Sequence, residues 1–181
     1  MKKTVTIFGS SLPEEGDQEY LDAYRLGKRF ALAGIKVCNG GNSGIMEASA
    51  KGAFENGGEV LGITIKKFPD HNSYLTENII CDTMFERMQK LVEYGDAYIV
   101  LQGGTGTLFE LGVVWESINK GFLEEKPFAC HSVMWRDICA IMEKQLIREK
   151  RKTGILKPFD DIDKCADYII ERLSNGSASH F

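Results

Sequence analysis

The sequence predicts an α/β protein built on an open parallel sheet with helices on both faces. Three observations carry that expectation. Short apolar, β-rich runs alternate with longer helical patterns along the chain, and right-handed crossovers turn such alternation into a parallel sheet. One run, Ala97-Tyr98-Ile99-Val100-Leu101, is apolar on both faces, as a central strand covered from either side requires. Three glycine-rich loops follow strands, at the edge where open α/β sheets take ligands.

Each element has its own warrant. Thr4–Phe8 reads as the first strand, closed by Gly9. From Gln18 to Ala33 the pattern is helical, with Tyr20, Tyr24, Gly27 and Ala31 along one stripe and Gly34 as the stop. Ile35–Cys38 is the second strand. Ser43–Asn56 is a helix whose Ala48, Gly52 and Ala53 suit close packing on a sheet. Val60–Ile65 is the third strand, Lys66–Thr76 a loop, and Asn78–Cys81 the fourth strand. Met84–Tyr94 is a helix ended by Gly95, followed by the strand Ala97–Leu101 and a helix from Thr107 to Lys120. Phe128–Ser132 is a further strand, with helices at Arg136–Glu149 and Ile162–Leu173. The expected organisation is a single domain over residues 1–174, with 175–181 as a frayed tail.

Composition narrows the function classes. The chain has 181 residues, 43% hydrophobic and 27% charged, with 22 basic against 26 acidic side chains. A net charge of -4 argues against a nucleic-acid partner, because non-specific affinity there rests on neutralising phosphates. The longest charge-free stretch, Ala97 to Phe109, contains three glycines and falls short of the ~20 apolar residues of a membrane span. Lys2-Lys3 before Thr4–Phe8 resembles the start of a signal peptide, but the apolar part is too short and lacks a cleavage site. Cys38, Cys81, Cys130, Cys139 and Cys165 are odd in number and form no CxxC, so they read as core residues in a reducing compartment. The expectation is a soluble, cytoplasmic protein with neither a nucleic-acid nor a membrane partner.

The candidate binding residues lie in the glycine loops: Gly9-Ser10-Ser11, Gly40-Gly41-Asn42-Ser43-Gly44 and Gly103-Gly104-Thr105-Gly106-Thr107. Glycines let the backbone approach a ligand, and a following helix N-terminus favours an anion such as phosphate. One such loop can serve turn geometry alone. Three at one sheet edge point to a nucleotide-like ligand. No GxGxxG follows the first strand, no acidic residue ends the second, and no GxxxxGK[ST] is present, which disfavours NAD and ATP chemistry. His71, His131 and His180 are too scattered for a metal site, and no lysine sits in a Schiff-base context. No cofactor or metal is expected.

Two charged residues remain. Glu110 follows Thr107 by three positions, a spacing that fits either a capping box or a carboxylate aimed at the ligand. Arg87 lies on the helix before the central strand, as either a solvated residue or a guanidinium forked onto a phosphate. Together, Gly103-Gly104-Thr105-Gly106-Thr107 and Glu110 resemble the PGGxGTxxE motif of the LOG ("Lonely Guy") family, long mislabelled as lysine decarboxylases. Met84, Glu86 and Arg87 match its MHERK segment, and Gly40-Gly41 with Gly44-Ile45-Met46 is similar to its GGGxxGLM loop. The likeness runs in order from Val5 to Leu173.

The resemblance implies a Rossmann-like homodimer that hydrolyses the N-glycosidic bond of nucleoside 5'-monophosphates, AMP or cytokinin ribotides, to free base and ribose 5-phosphate. It implies Glu110 and Arg87 as the catalytic pair, a phosphate held by the glycine-threonine loop, and Met84 in the substrate site. Five positions depart from the pattern: Gln102 for the motif proline, Asn39 for a glycine, Phe85 and Met88 for the histidine and lysine of MHERK, and Phe109 for a second glutamate. Lys90 is a candidate for the missing lysine's charge. Phe109, Val113 and Trp115 are candidates for the dimer contact, with a place in the core the alternative for Trp115. The alternative is a non-catalytic nucleotide or molybdenum-cofactor carrier with the same cradle. Glu110 and Arg87 together favour the enzyme, since a carrier has no need of a carboxylate beside an anionic ligand.

Overall fold

A computed structural model describes residues 2–175 of the chain. Seven strands form one parallel sheet: β1 (Thr4–Phe8), β2 (Lys36–Asn39), β3 (Val60–Ile65), β4 (Glu77–Cys81), β5 (Ala97–Val100), β6 (Phe128–His131) and β7 (Leu156–Phe159). Their spatial order is β4-β3-β2-β1-β5-β6-β7. Val5 of β1 pairs with Val37 on one side and Ala97 on the other. The chain thus winds outward from β1 one way, then returns and winds outward from β5 the other way. That reversal opens a crevice between β1 and β5 at their carboxyl ends.

Six helices cover the sheet: α1 (Gln18–Leu32), α2 (Ile45–Phe54), α3 (Met84–Tyr94), α4 (Thr105–Asn119), α5 (Val133–Arg148) and α6 (Ile162–Asn175). Strand alternation divides the core in two. Val5, Ile7, Ala97 and Ile99 pack under α1, α2 and α6, while Phe8, Tyr98 and Val100 pack under α3, α4 and α5. Each fully buried Leu, Ile or Phe contributes about 1.5–3 kcal/mol. Buried polar groups are tied in: the Thr6 hydroxyl donates to Leu91 O at 3.0 Å, joining β1 to α3. No helix of the described residues is long and apolar enough to cross a membrane.

Several boundaries differ from the expected ones for local reasons. The helix α4 begins two residues early because Gly104, with no side chain to hold, is its N-cap. The helix α5 begins at Val133 because the Ser132 hydroxyl accepts from Trp135 N–H at 3.2 Å, so Ser132 is a cap and not strand. The strand β7, containing Pro158, was missed; it is an edge strand paired only to β6, where a missing N–H is tolerated. Gly52 packs against α1, not the sheet: a Cβ there would stand 2.0 Å from Tyr24 O, and one on Gly27 would stand 2.0 Å from Ser49 O. Trp115, a candidate interface residue, is 5% exposed and belongs to the core. The expected tail is helical through Asn175, and its residues 176–181 lie outside the described part.

Candidate functional site

The three glycine loops converge at the crevice. Ser10 N–H donates to Gln102 O and Ile45 N–H to Ser10 O, both at 2.9 Å, which ties the first loop to the third and to the start of α2. Between them lies a cleft of about 630 Å³, within the size range of small-molecule sites. Ten of the predicted site residues line it: Gly9, Ser10, Gly40, Met84, Arg87, Gly104, Thr105, Gly106, Thr107 and Glu110. Thr105, Gly106 and Thr107 form the first turn of α4, whose amides have no intrahelical acceptor. They carry the positive end of the helix dipole into the cleft.

Gly41 and Gly103 stand behind this wall. Gly41, at φ +74°, lies against the Thr64 methyl, and Gly103 against Thr107 Oγ1. Gly103 shares an adjoining hollow with Ser10, Gln102 and Gly104. Both shape the loops from outside the cleft lining.

The charged pair comes from α3 and α4. Arg87 Nη1 lies 3.6 Å from Glu110 Oε1, within ion-pair range but beyond a hydrogen bond. Arg87 Nε donates to Ile63 O at 2.8 Å, which anchors the guanidinium to the end of β3. Gly40 makes room for it: a Cβ at that position would stand 1.7 Å from Arg87 Nη2. Glu110 is 14% exposed. Burial pushes its carboxyl up to about 7, against the opposing pull of Arg87. The cleft therefore holds a carboxylate that exchanges its proton near neutrality.

The capping alternative for Glu110 fails, and the reason is instructive. The sequence contains the same pattern twice, Thr83-Met84-Phe85-Glu86 and Thr107-Leu108-Phe109-Glu110. The first is the cap: Thr83 Oγ1 accepts from Glu86 N–H at 3.1 Å, and Glu86 Oε2 accepts from Asp82 N–H at 2.9 Å. In the second, Thr107 is already the third residue of α4. Glu110 then falls in the second turn, free to face Arg87.

Sequence reasoning missed the contribution of the long β3–β4 connection. Lys67, Phe68 and Asp70 line the cleft. Their only signal was membership of a loop after a strand, which many surface residues share. Lys90 lies 4.0 Å from Glu86 and is not among the cleft-lining residues. A second hollow of about 440 Å³ opens beyond β5. There His131 Nε2 faces Asp22 Oδ2 at 3.6 Å, apart from the glycine cleft.

Comparison with known proteins adds three findings. The model of the SLOG cluster4 family matches residues 2–145. A cytokinin riboside 5'-monophosphate phosphoribohydrolase of Mycobacterium tuberculosis is 36% identical over 132 residues, 68% of this chain and 67% of that protein. One of the same name from Rhodococcoides fascians is 33% identical over 130 residues, 69% of this chain and 65% of that protein. The matched region spans about two thirds of these curated relatives and 66% of an uncharacterised protein of Archaeoglobus fulgidus. Among solved structures, the molybdenum cofactor carrier protein of Chlamydomonas reinhardtii superposes with a TM-score of 0.76 at 18% identity, over 96% of this chain and 99% of that one. At that identity the likeness speaks for the fold alone.

Proposed function

The chain belongs to the SLOG cluster4 family, and from that premise we propose that it is a nucleoside 5'-monophosphate phosphoribohydrolase. It would cleave the N-glycosidic bond of AMP or a cytokinin-ribotide-like nucleotide with water, giving free base and ribose 5-phosphate. The observation that carries this reading is the largely buried Glu110, held beside Arg87 in a cleft walled by glycine loops.

In this reading the phosphate sits against the Thr105–Thr107 amides, and the exposed Met84 and Phe68 offer apolar surface to the base. Departure of the base leaves an oxocarbenium-like ribosyl cation. The Glu110 carboxylate stabilises that charge and orients or deprotonates the attacking water. Arg87 fixes the carboxylate and favours its ionised form. The proton lost by water balances the one gained by the departing base. The carrier-like fold is compatible with binding alone, but a carrier of an anion gains nothing from a buried carboxylate at the site. The five cysteines are all buried and unpaired, which supports a reducing, cytoplasmic location. The functional unit in this reading is a homodimer.

Incubating the purified protein with a panel of nucleotides and nucleosides, with free bases read by chromatography, tests the proposal. AMP or a related monophosphate should be cleaved far faster than its nucleoside, because remote phosphate binding positions the ribose. Equal rates on adenosine and AMP would refute it.

A further inference from the structure

Two adjacent lysines sit on the tight turn after β3, where Phe68 N–H closes onto Ile65 O at 3.0 Å and the same residues form an antiparallel bridge. The turn sends them in different directions. Lys66 pairs with Asp82 outside the cleft, whereas Lys67 lines it. The far part of the loop is pinned as well: Asn72, itself buried, donates from its N–H to Gly41 O at 2.9 Å and from Nδ2 to Asn42 O at 3.0 Å. Lys67 therefore rides on a segment anchored both to the sheet and to the second glycine loop.

The charges in the cleft are unequally committed. Its two cations are Arg87 and Lys67, and its two carboxylates are Glu110 and Asp70. Arg87 is engaged by Glu110 and by Ile63 O. Lys67 has no carboxylate within ion-pair distance among the described residues; its Nζ lies 5.6 Å from the centre of the Phe68 ring. An uncommitted ammonium on an anchored loop, in the same cleft as the open amides of α4, is the chemistry that recognises a phosphate dianion.

We propose that Lys67 is a specificity-determining residue, which binds the 5'-phosphate together with the α4 amides and so selects nucleotides over nucleosides. The inference rests on the hydrolase reading for its substrate, but its binding half is separable. Ribose 5-phosphate is a probe that cannot be cleaved, and its affinity can be measured by calorimetry without any turnover. Lys67→Met should weaken its binding by about ten- to a hundredfold, the worth of a charge-assisted hydrogen bond. Lys67→Arg should stay within about threefold of the parent, since the cation is kept. Lys66→Met, the same charge change one residue away, should leave the affinity unchanged. In hydrolysis, Lys67→Met should lower the ratio of kcat/KM for AMP to that for adenosine, and Lys67→Arg should keep it.

Lys67→Met binding ribose 5-phosphate as well as the parent overturns the assignment. So does an equal loss in Lys66→Met, which would mean a diffuse field and not a contact, and so does a parent protein that binds no ribose 5-phosphate. A parent that binds ribose 5-phosphate in a Lys67-dependent way yet cleaves no nucleotide upholds the lysine assignment and sinks the hydrolase reading alone.

Discussion

Glu110 is where electrostatics and proposed chemistry meet. Its burial beside a single guanidinium raises the carboxyl to about 7, so the folded protein holds the proton over a range where the unfolded chain, at the ordinary 4.5, has lost it. The linkage sign follows. Below the unfolded value both states are protonated and this group does not oppose folding; as pH rises to about 7 stability is lost, and above that the loss is constant. Glu110→Gln should remove this slope, worth about 3 kcal/mol between acid and pH 8. Comparing the two proteins by urea unfolding across pH isolates it. The same substitution should lower turnover by about 10²–10³ and change nucleotide binding far less, since the ground-state ribose is neutral. Near-normal turnover in steady-state kinetics would reduce Glu110 to a structural residue.

Among the elements, the contact between α1 and α2 depends on two absent side chains. Gly27 and Gly52 bring the helix backbones together, each facing a carbonyl of the other helix. On propensity alone, Gly52→Ala should stabilise α2 by up to ~1 kcal/mol. The added Cβ would instead meet Tyr24 O, a backbone atom that cannot rotate away. A net loss of about 1–3 kcal/mol is expected, as for other overpacked sites. A lower urea midpoint with an unchanged m-value is the expected reading; a raised midpoint would mean that α1 yields. The position matters for the site because α2 starts at Ile45, whose N–H holds Ser10 of the first glycine loop.

At the scale of the whole molecule, the face of α3 and α4 near the cleft carries exposed apolar side chains. Phe85 is 71% exposed, Met84 53% and Leu108 46%, and Phe85 stands edge-on to Phe109 with ring centroids 6.3 Å apart. Such a patch on α3 and α4 suits the proposed homodimer, whose interface should bury about 2,000 Å² or more if obligate. With Trp115 in the core, the proposed contact comprises Phe85, Leu108, Phe109 and Val113. Light scattering at micromolar concentration should give twice the chain mass. Phe85→Glu should shift it towards the single-chain mass with an unchanged circular dichroism spectrum. A parent protein that is monomeric counts against the dimer.

The sequence alone determined what depends on local periodicity. The strands β1 and β3 and the helix α3 have the expected limits, Thr4–Phe8, Val60–Ile65 and Met84–Tyr94, because alternation, helical spacing and the Gly95 stop act within a few residues of one another. The glycine loops and the Arg87 and Glu110 candidates were legible too, since βα order places strand ends at one edge. Tertiary structure decided among local equivalents. Two copies of Thr-x-Phe-Glu divided into a cap and a cleft-lining residue because one helix starts at Met84 and the other at Thr105, two residues before its threonine. Two neighbouring lysines divided because Asp82 lies outside the turn and the cleft inside it. The edge strand β7 took its pairing from β6, not from its own proline-bearing sequence. In each case the partner is distant along the chain, and a local pattern holds no information about which distant group the fold will bring into reach.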